Sequence, residues 1–152
     1  MGAHLEAARL EEGADLSWAH LDYAHLEDAK LVGANLEHAT LARAHLERSN
    51  LVSTRLQGAR LDCAFLQGAD LLDAHLEDAV LVGADLTDVR DINSAHLEGA
   101  IANDQTQWPS GFGSEEAQVR GVILSSEWSP PEDLIGHLAD DLRSGQRSQP
   151  SD

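Results

Sequence analysis

The sequence has few aromatic residues, a single cysteine and no long apolar run. Phe, Trp and Tyr make up 4% of its 152 residues, so a core built on large rings is not expected. Cys63 has no partner for an intrachain disulfide, which suits a reducing cytoplasm. No apolar run approaches the roughly 20 residues of a membrane-spanning helix, and residues 1–12 lack the basic and apolar regions of a signal peptide. We therefore expect a cytoplasmic protein with no membrane segment.

Basic residues are also scarce. Lys and Arg number 10 against 27 Asp and Glu, a formal net charge of -17. Such a chain repels nucleic acids and anionic membranes, so direct binding to either is not expected. A protein partner with a basic surface, or a cation, fits the charge better. A solubility role for the acidic residues remains an equally open interpretation.

A five-residue repeat fills residues 14–88. The third position of all fifteen units is Leu, and the first is Ala in thirteen, with Ser49 and Thr54 as the exceptions. Five residues advance an α-helix by about 500°, so successive Leu side chains would share no face. In a straight strand an odd period would place them on alternate faces. A backbone that bends once per unit can point every Leu at one axis, which predicts a solenoid. The predicted core is Leu16, Leu21, Leu26, Leu31, Leu36, Leu41, Leu46, Leu51, Leu56, Leu61, Leu66, Leu71, Leu76, Leu81 and Leu86.

The fifth position of the unit favours turn-forming residues such as Gly33, Gly83, Asp28 and Ser53. This predicts one turn per unit. A coiled coil is the alternative for a sequence rich in Ala and Leu, but it needs a period near 3.5.

Two single-residue insertions shift the five-residue repeat, one at Gly13 and the other within residues 87–91.

The repeat resembles the A(D/N)LXX motif of the pentapeptide-repeat family over about residues 3–102. Full matches are Ala14-Asp15-Leu16, Ala34-Asn35-Leu36, Ala69-Asp70-Leu71 and Ala84-Asp85-Leu86. The resemblance implies an all-β solenoid, a right-handed quadrilateral β-helix with four units per coil. Nineteen units would then form about five coils, a rod roughly 24 Å long.

Residues 103–128 are expected to form a C-terminal capping segment, because a solenoid must cover its last exposed layer. Trp108 and Phe112 are interpreted as its lid, and an aromatic ligand site is the less favoured alternative.

Residues 129–145 should form an amphipathic helix, since Ser129 and Glu132 have the spacing of a capping box. The helix either packs on the rod or forms a homodimer, and residues 146–152 should be disordered. Its apolar face comprises Leu134, Ile135, Leu138 and Leu142.

Four units per coil would stack residues that are twenty positions apart, so the outward residues sort into four columns. Two opposite columns are acidic and form the predicted partner-binding surface: Asp15, Glu37, Glu77, Asp78 and Glu98 in one, and Glu27, Asp28, Glu47, Asp85 and Asp88 in the other. A third column is balanced. The fourth carries Val32, Val52 and Leu72, an apolar interface for the C-terminal segment or for a second subunit.

No catalytic, metal or cofactor site is assigned from the sequence. Cys63 has no base at a recognisable spacing, and a convex rod offers no cleft in which to desolvate catalytic acids. We therefore do not expect an enzyme. Six histidines precede a central Leu, but their spacing is that of the repeat. They are His4, His20, His25, His45, His75 and His96. His25 is expected to stack on His45, and His75 on His96; a stacked pair that binds Zn²⁺ loosely with Glu27 or Glu47 is a minor alternative.

The resemblance implies one specific function. Some family members mimic the width and charge of B-DNA, bind DNA gyrase or topoisomerase IV, and protect the enzyme from inhibitors. The acidic columns fit that role, whereas the uninterrupted Leu column and the absence of long loops depart from those members. The alternative is a generic protein-interaction or scaffolding module with no topoisomerase role.

Overall fold

The computed structural model of the chain describes residues 2–10 and 13–126. The predicted helix 129–145, with Leu134, Ile135, Leu138 and Leu142, lies outside the described residues, as does the tail 146–152. Within the described ranges, none of the helices has the length and apolar character needed to cross a bilayer.

The fifteen central repeat units, residues 14–88, all bend at the same place. The residue before the central Leu forms a backbone bridge, and the chain then turns over the next three residues; the amide of Ala19, for example, donates to the Leu16 carbonyl at 3.1 Å. The third residue of the turn has a positive φ, 60° at Trp18 and 66° at Gly33, which is typical of a type II turn. One turn per unit is therefore confirmed.

Successive turns wind the chain around the axis of the solenoid. All the single-residue bridges are parallel, and in the central repeats they join residues twenty apart, such as Asp15 with Asn35 and His20 with Thr40. The amide of Leu16 donates to the Asn35 carbonyl at 2.7 Å, so each unit hydrogen-bonds to the unit one coil above. The predicted solenoid is confirmed, with four units in each coil; its handedness and total number of coils stay predictions.

The four ladders of bridges define four faces. Face A contains the ladder through Asp15, face B that through His20, face C that through His25 and face D that through Lys30. Because the chain visits them in this order, faces A and C are separated by B and D around the coil.

Two register changes interrupt the twenty-residue spacing. Before Gly13, His4 pairs with His25 at a spacing of twenty-one. The second change lies within the predicted range of 87–91. Arg90 still pairs with Asp70 at twenty, whereas His96 pairs with His75 at twenty-one. Because Ile92 is the next buried side chain, the extra residue is Asp91, which has a φ of 57° and directly precedes a 3-10 turn at Ile92–Ser94.

The central leucines form one continuous buried column. From Leu21 to Leu86 they are at most 7% exposed, while Leu16 is partly buried near the N-terminal end. The first position of the unit also faces inward and has little room, which explains its alanines. Ser49 and Thr54 occupy two of these positions and are fully buried.

The described C-terminal part departs from the repeat. Strand β1 (Ile101–Ala102) pairs in parallel with strand β2 (Ile123–Leu124), and helix α1 (Ser114–Val119) lies between them in sequence. Phe112 is 3% exposed, and the Trp108 ring lies 5.4 Å from it and packs against the core. Both rings thus join the Leu column at its last coils, where the lid is predicted.

Candidate interaction surface

The predicted acidic residues of the first column all belong to face A. The column contains one arginine, Arg55, which binds an acid of the same face. Arg55 Nε donates to Glu37 Oε1 at 3.0 Å. At one end of the face, Asp15 Oδ1 accepts from the Ser17 hydroxyl at 2.7 Å. This hydroxyl and the Ser17 amide lower the pKa of Asp15, so its carboxylate stays ionised into acid pH.

The second acidic column belongs to face C. Arg48 binds Asp28 through two hydrogen bonds, Nε to Oδ1 at 2.9 Å and Nη2 to Oδ2 at 2.7 Å. This contact lowers the pKa of Asp28. Asp85 Oδ2 accepts from Gln67 Nε2 at 2.7 Å, whereas Asp88 is exposed on its turn. The arginine of this face therefore neutralises one acid and leaves the rest of the face negative.

The two remaining faces differ from the acidic ones. On face B, Asp62 is buried beside Arg60, with Nε 3.3 Å from Oδ2. Burial raises the pKa of Asp62, and the Arg60 guanidinium opposes that shift only in part. On face D, Leu72 is 39% exposed while Val32 and Val52 are half-buried within their own stack. The predicted apolar column therefore exposes chiefly one side chain.

Sequence reasoning missed a set of histidine–glutamate pairs. The Nδ1 atom of each histidine lies close to a carboxylate oxygen of the glutamate two residues later, at 3.0 Å in His4–Glu6, 3.1 Å in His25–Glu27, 3.2 Å in His45–Glu47 and 3.1 Å in His75–Glu77. Burial raises the pKa of Glu27, but its backbone amide and the His25 ring outweigh burial and hold it below its usual value. The sequence signal for these pairs is the repeated tripeptide His-Leu-Glu, because its His and its Glu flank the same inward Leu and so lie on the same face.

The predicted stacking of His25 on His45, and of His75 on His96, is confirmed. The rings of His4, His25 and His45 are 4.9 Å apart from centroid to centroid, and Phe65 continues this stack at 4.8 Å. The rings of His75 and His96 form a second stack on face A, at 4.6 Å. Each acidic face therefore contains a row of imidazoles beside its carboxylates.

Comparison with solved structures finds the same architecture. The chain is 34% identical to alr5209, a pentapeptide repeat protein from Nostoc Pcc 7120, over 68% of this chain and 83% of that one, with a TM-score of 0.63. It is 30% identical to the pentapeptide repeat protein Rfr23 from the cyanobacterium Cyanothece 51142, over 70% and 88% of the two chains, with a TM-score of 0.33.

A third similar structure is QnrB1, a plasmid-mediated fluoroquinolone resistance protein. It is 16% identical over 91% of this chain and 84% of that one, with a TM-score of 0.33.

No curated protein matches the sequence significantly. The family model for pentapeptide repeats matches eight copies, within residues 1–36, 12–48, 29–63 and 49–88. These matches cover the stretch whose Leu and Ala positions form the buried column, and the chain belongs to the pentapeptide-repeat family.

Proposed function

We propose that this protein is a non-catalytic, cytoplasmic interaction module whose acidic faces A and C bind a basic surface on a protein partner. The observation that supports it most is the distribution of charge. Each of these faces carries the predicted acids against a single arginine, and that arginine already binds an acid of its own face. The unneutralised carboxylates thus form extended rows, which suit a partner that presents several Lys or Arg side chains.

The most specific partner we propose is a type II topoisomerase such as DNA gyrase, bound through its DNA-binding surface. The face C ladder runs through His4, His25, His45, Phe65, Asp85 and Gln107. Its five intervals of about 4.8 Å make a rod about 24 Å long. B-DNA of that length carries about 14 phosphate charges, since it has one per roughly 1.7 Å. Residues 4–107, which this ladder spans, contain 19 Asp and Glu against 7 Lys and Arg, and their formal net charge of -12 is of the same order.

A supercoiling assay with purified gyrase tests this proposal. The parent protein should inhibit supercoiling, or protect the enzyme from an inhibitor, and higher salt should abolish the effect because the attraction is electrostatic. On face A, the double variant Asp78→Asn with Glu98→Gln should weaken it, and so should Asp88→Asn on face C.

Asp73→Asn is the matched control, because Asp73 is an exposed turn residue with φ 51° on face D. It removes one negative charge outside the two acidic faces and should leave the effect unchanged. Absence of inhibition and protection at micromolar protein would refute the topoisomerase role. Equal losses in Asp73→Asn and in the face A and face C variants would refute the assignment to those faces.

A scaffolding module that uses face D is the second candidate, favoured by the exposed Leu72. A pull-down with the parent and with Leu72→Lys separates the candidates. If face D binds the partner, Leu72→Lys abolishes capture and Asp88→Asn does not.

Light scattering on the full chain and on a chain truncated before Ser129 tests the proposed homodimer, because the truncated chain should then be a monomer.

A further inference from the structure

Three potential metal ligands converge on face A, where the second register change begins. The ligand atoms of His75, Glu77 and His96 all lie within 4.8 Å of one another. Each is brought there by the fold: His75 and His96 are bridge partners in adjacent coils, and Glu77 lies one residue beyond the Leu that follows His75. The group therefore sits on rigid, hydrogen-bonded backbone.

Only one of the two carboxylate oxygens of Glu77 has a hydrogen-bond partner among the described residues. Its Oε1 lies 3.1 Å from His75 Nδ1. Its Oε2 is shielded from solvent, and within residues 2–10 and 13–126 no group hydrogen-bonds to it. A buried carboxylate oxygen without a partner is costly, and a cation is the natural group to satisfy it.

We propose that His75, Glu77 and His96 bind a divalent transition-metal ion of the Zn²⁺ type. Two imidazoles and one carboxylate are a ligand set that Zn²⁺ accepts, with water at the fourth position. Bond lengths of about 2.0–2.1 Å require ligand atoms roughly 3.3 Å apart, so the two stacked rings must tilt toward each other. The side chains of His75 and Glu77 are 37% and 30% exposed, which leaves room for that movement. This inference does not depend on the proposed partner.

Face C offers weaker competitors. Its two candidate groups, Glu6–His25–Glu27 and Glu27–His45–Glu47, contain one histidine each and share Glu27. They are richer in hard oxygen ligands, and one carboxylate cannot serve both groups fully. Imidazole suits Zn²⁺ better than carboxylate does, so the group with two histidines should bind it most tightly.

Isothermal titration calorimetry of the full chain with Zn²⁺, at neutral pH in moderate salt and with excess Mg²⁺ present, tests the proposal. We expect one Zn²⁺ site that survives the Mg²⁺, with its affinity reduced at least tenfold in both His75→Gln and His96→Gln. His20→Gln is the matched control, because His20 holds the same place in its unit on face B but lies against Thr40, with Nδ1 3.3 Å from the hydroxyl. This variant should bind Zn²⁺ like the parent.

A spectroscopic readout separates true coordination from general attraction to an acidic rod. Co²⁺ bound in place of Zn²⁺ should give tetrahedral absorption bands that disappear in His75→Gln and His96→Gln, while far-UV circular dichroism shows that both variants remain folded. Binding should also weaken as pH falls, because the imidazoles must be deprotonated to coordinate. Equal Zn²⁺ affinity in the parent and both variants would overturn the proposal, as would complete displacement by Mg²⁺.

Discussion

Replacing Ser49 by Ala should make the protein more stable. Ser49 is 0% exposed and occupies the inward position that thirteen of the fifteen central units fill with Ala. Its backbone is fully engaged, the amide donating to the Leu46 carbonyl at 3.1 Å and the carbonyl accepting from the Asp70 amide at 3.0 Å. Its hydroxyl, in contrast, is buried without a hydrogen-bond partner among the described residues.

The size of the effect follows from that unpaired hydroxyl. Burial of a hydroxyl without a compensating hydrogen bond costs about 1–3 kcal/mol. Alanine removes this cost and leaves a void of only one atom, so Ser49→Ala should raise the free energy of unfolding by about 1–2 kcal/mol.

Thr54 provides a control at the same position in the next unit. Its Oγ1 donates to the Leu31 carbonyl at 2.7 Å, a carbonyl that also accepts from the Ala34 amide at 3.0 Å. Thr54→Ala loses this hydrogen bond and one buried methyl group, which should lower stability by about 2 kcal/mol. The two Ala substitutions are therefore expected to act in opposite directions.

Urea denaturation followed by far-UV circular dichroism measures both effects. With an m-value of about 2 kcal/mol/M, Ser49→Ala should raise the midpoint by about 0.5–1 M, and Thr54→Ala should lower it by about 1 M. The m-value should be unchanged, which shows that only stability was altered. A lower midpoint for Ser49→Ala, or a higher one for Thr54→Ala, would refute the hydrogen-bond reasoning.

Four further substitutions can be measured by the same denaturation experiment. Leu46→Ala should cost about 3–5 kcal/mol because it opens a cavity in the middle of the column, and the partly buried Leu5 should cost less when it is replaced by Ala. Gly83→Ala should cost about 1–2 kcal/mol, since φ is 66° there and the new Cβ would lie 3.0 Å from Cys63 Sγ. Asp62→Asn should be stabilising near neutral pH. Because the pKa of Asp62 is raised in the folded state, the parent loses stability as the pH rises from the ordinary pKa of 3.8 to the pKa of the folded state. The variant lacks this loss, so it should gain stability relative to the parent at pH 7 but not at pH 3. An equal difference in stability between variant and parent at pH 3 and pH 7 would contradict this prediction.

The sequence predicted the solenoid because its physical cause lies within each unit. A Leu that must be buried and a turn residue two positions later leave the backbone little choice, as the positive φ at Asp28 and Gly33 shows. The assignment of outward residues to four columns also agrees with the ladders, because it follows arithmetically once four units form a coil. That number came from the family resemblance, since a five-residue period alone does not determine how many units close a coil.

Other features depend on contacts that the period does not encode. Ser49 and Thr54 both place a hydroxyl at the inward first position of the unit, yet only the Thr54 hydroxyl reaches a carbonyl, that of Leu31 in the coil below. The second extra residue was predicted within 87–91 because the next apolar side chain is displaced there, and the structure agrees. The pairing of Arg90 with Asp70 and the burial of Ile92 narrow its position to Asp91. Backbone pairing between coils selects one residue within that range, and a pattern of apolar residues does not report it.

The stacked architecture also imposes an electrostatic cost that links the two proposals. In the group of Glu27, His45 and Glu47, the ligand oxygens of two glutamates lie within 4.8 Å of each other. Two charges at this distance repel by about 1 kcal/mol in water and about 3–4 kcal/mol at an effective dielectric constant of 20. The buried Leu column, the neighbouring imidazoles and the Arg48 guanidinium, which attracts both Glu27 and Glu47, offset this repulsion. A lysine-rich partner or a metal ion would relieve it directly, so the same rows that oppose folding favour the binding of cationic groups.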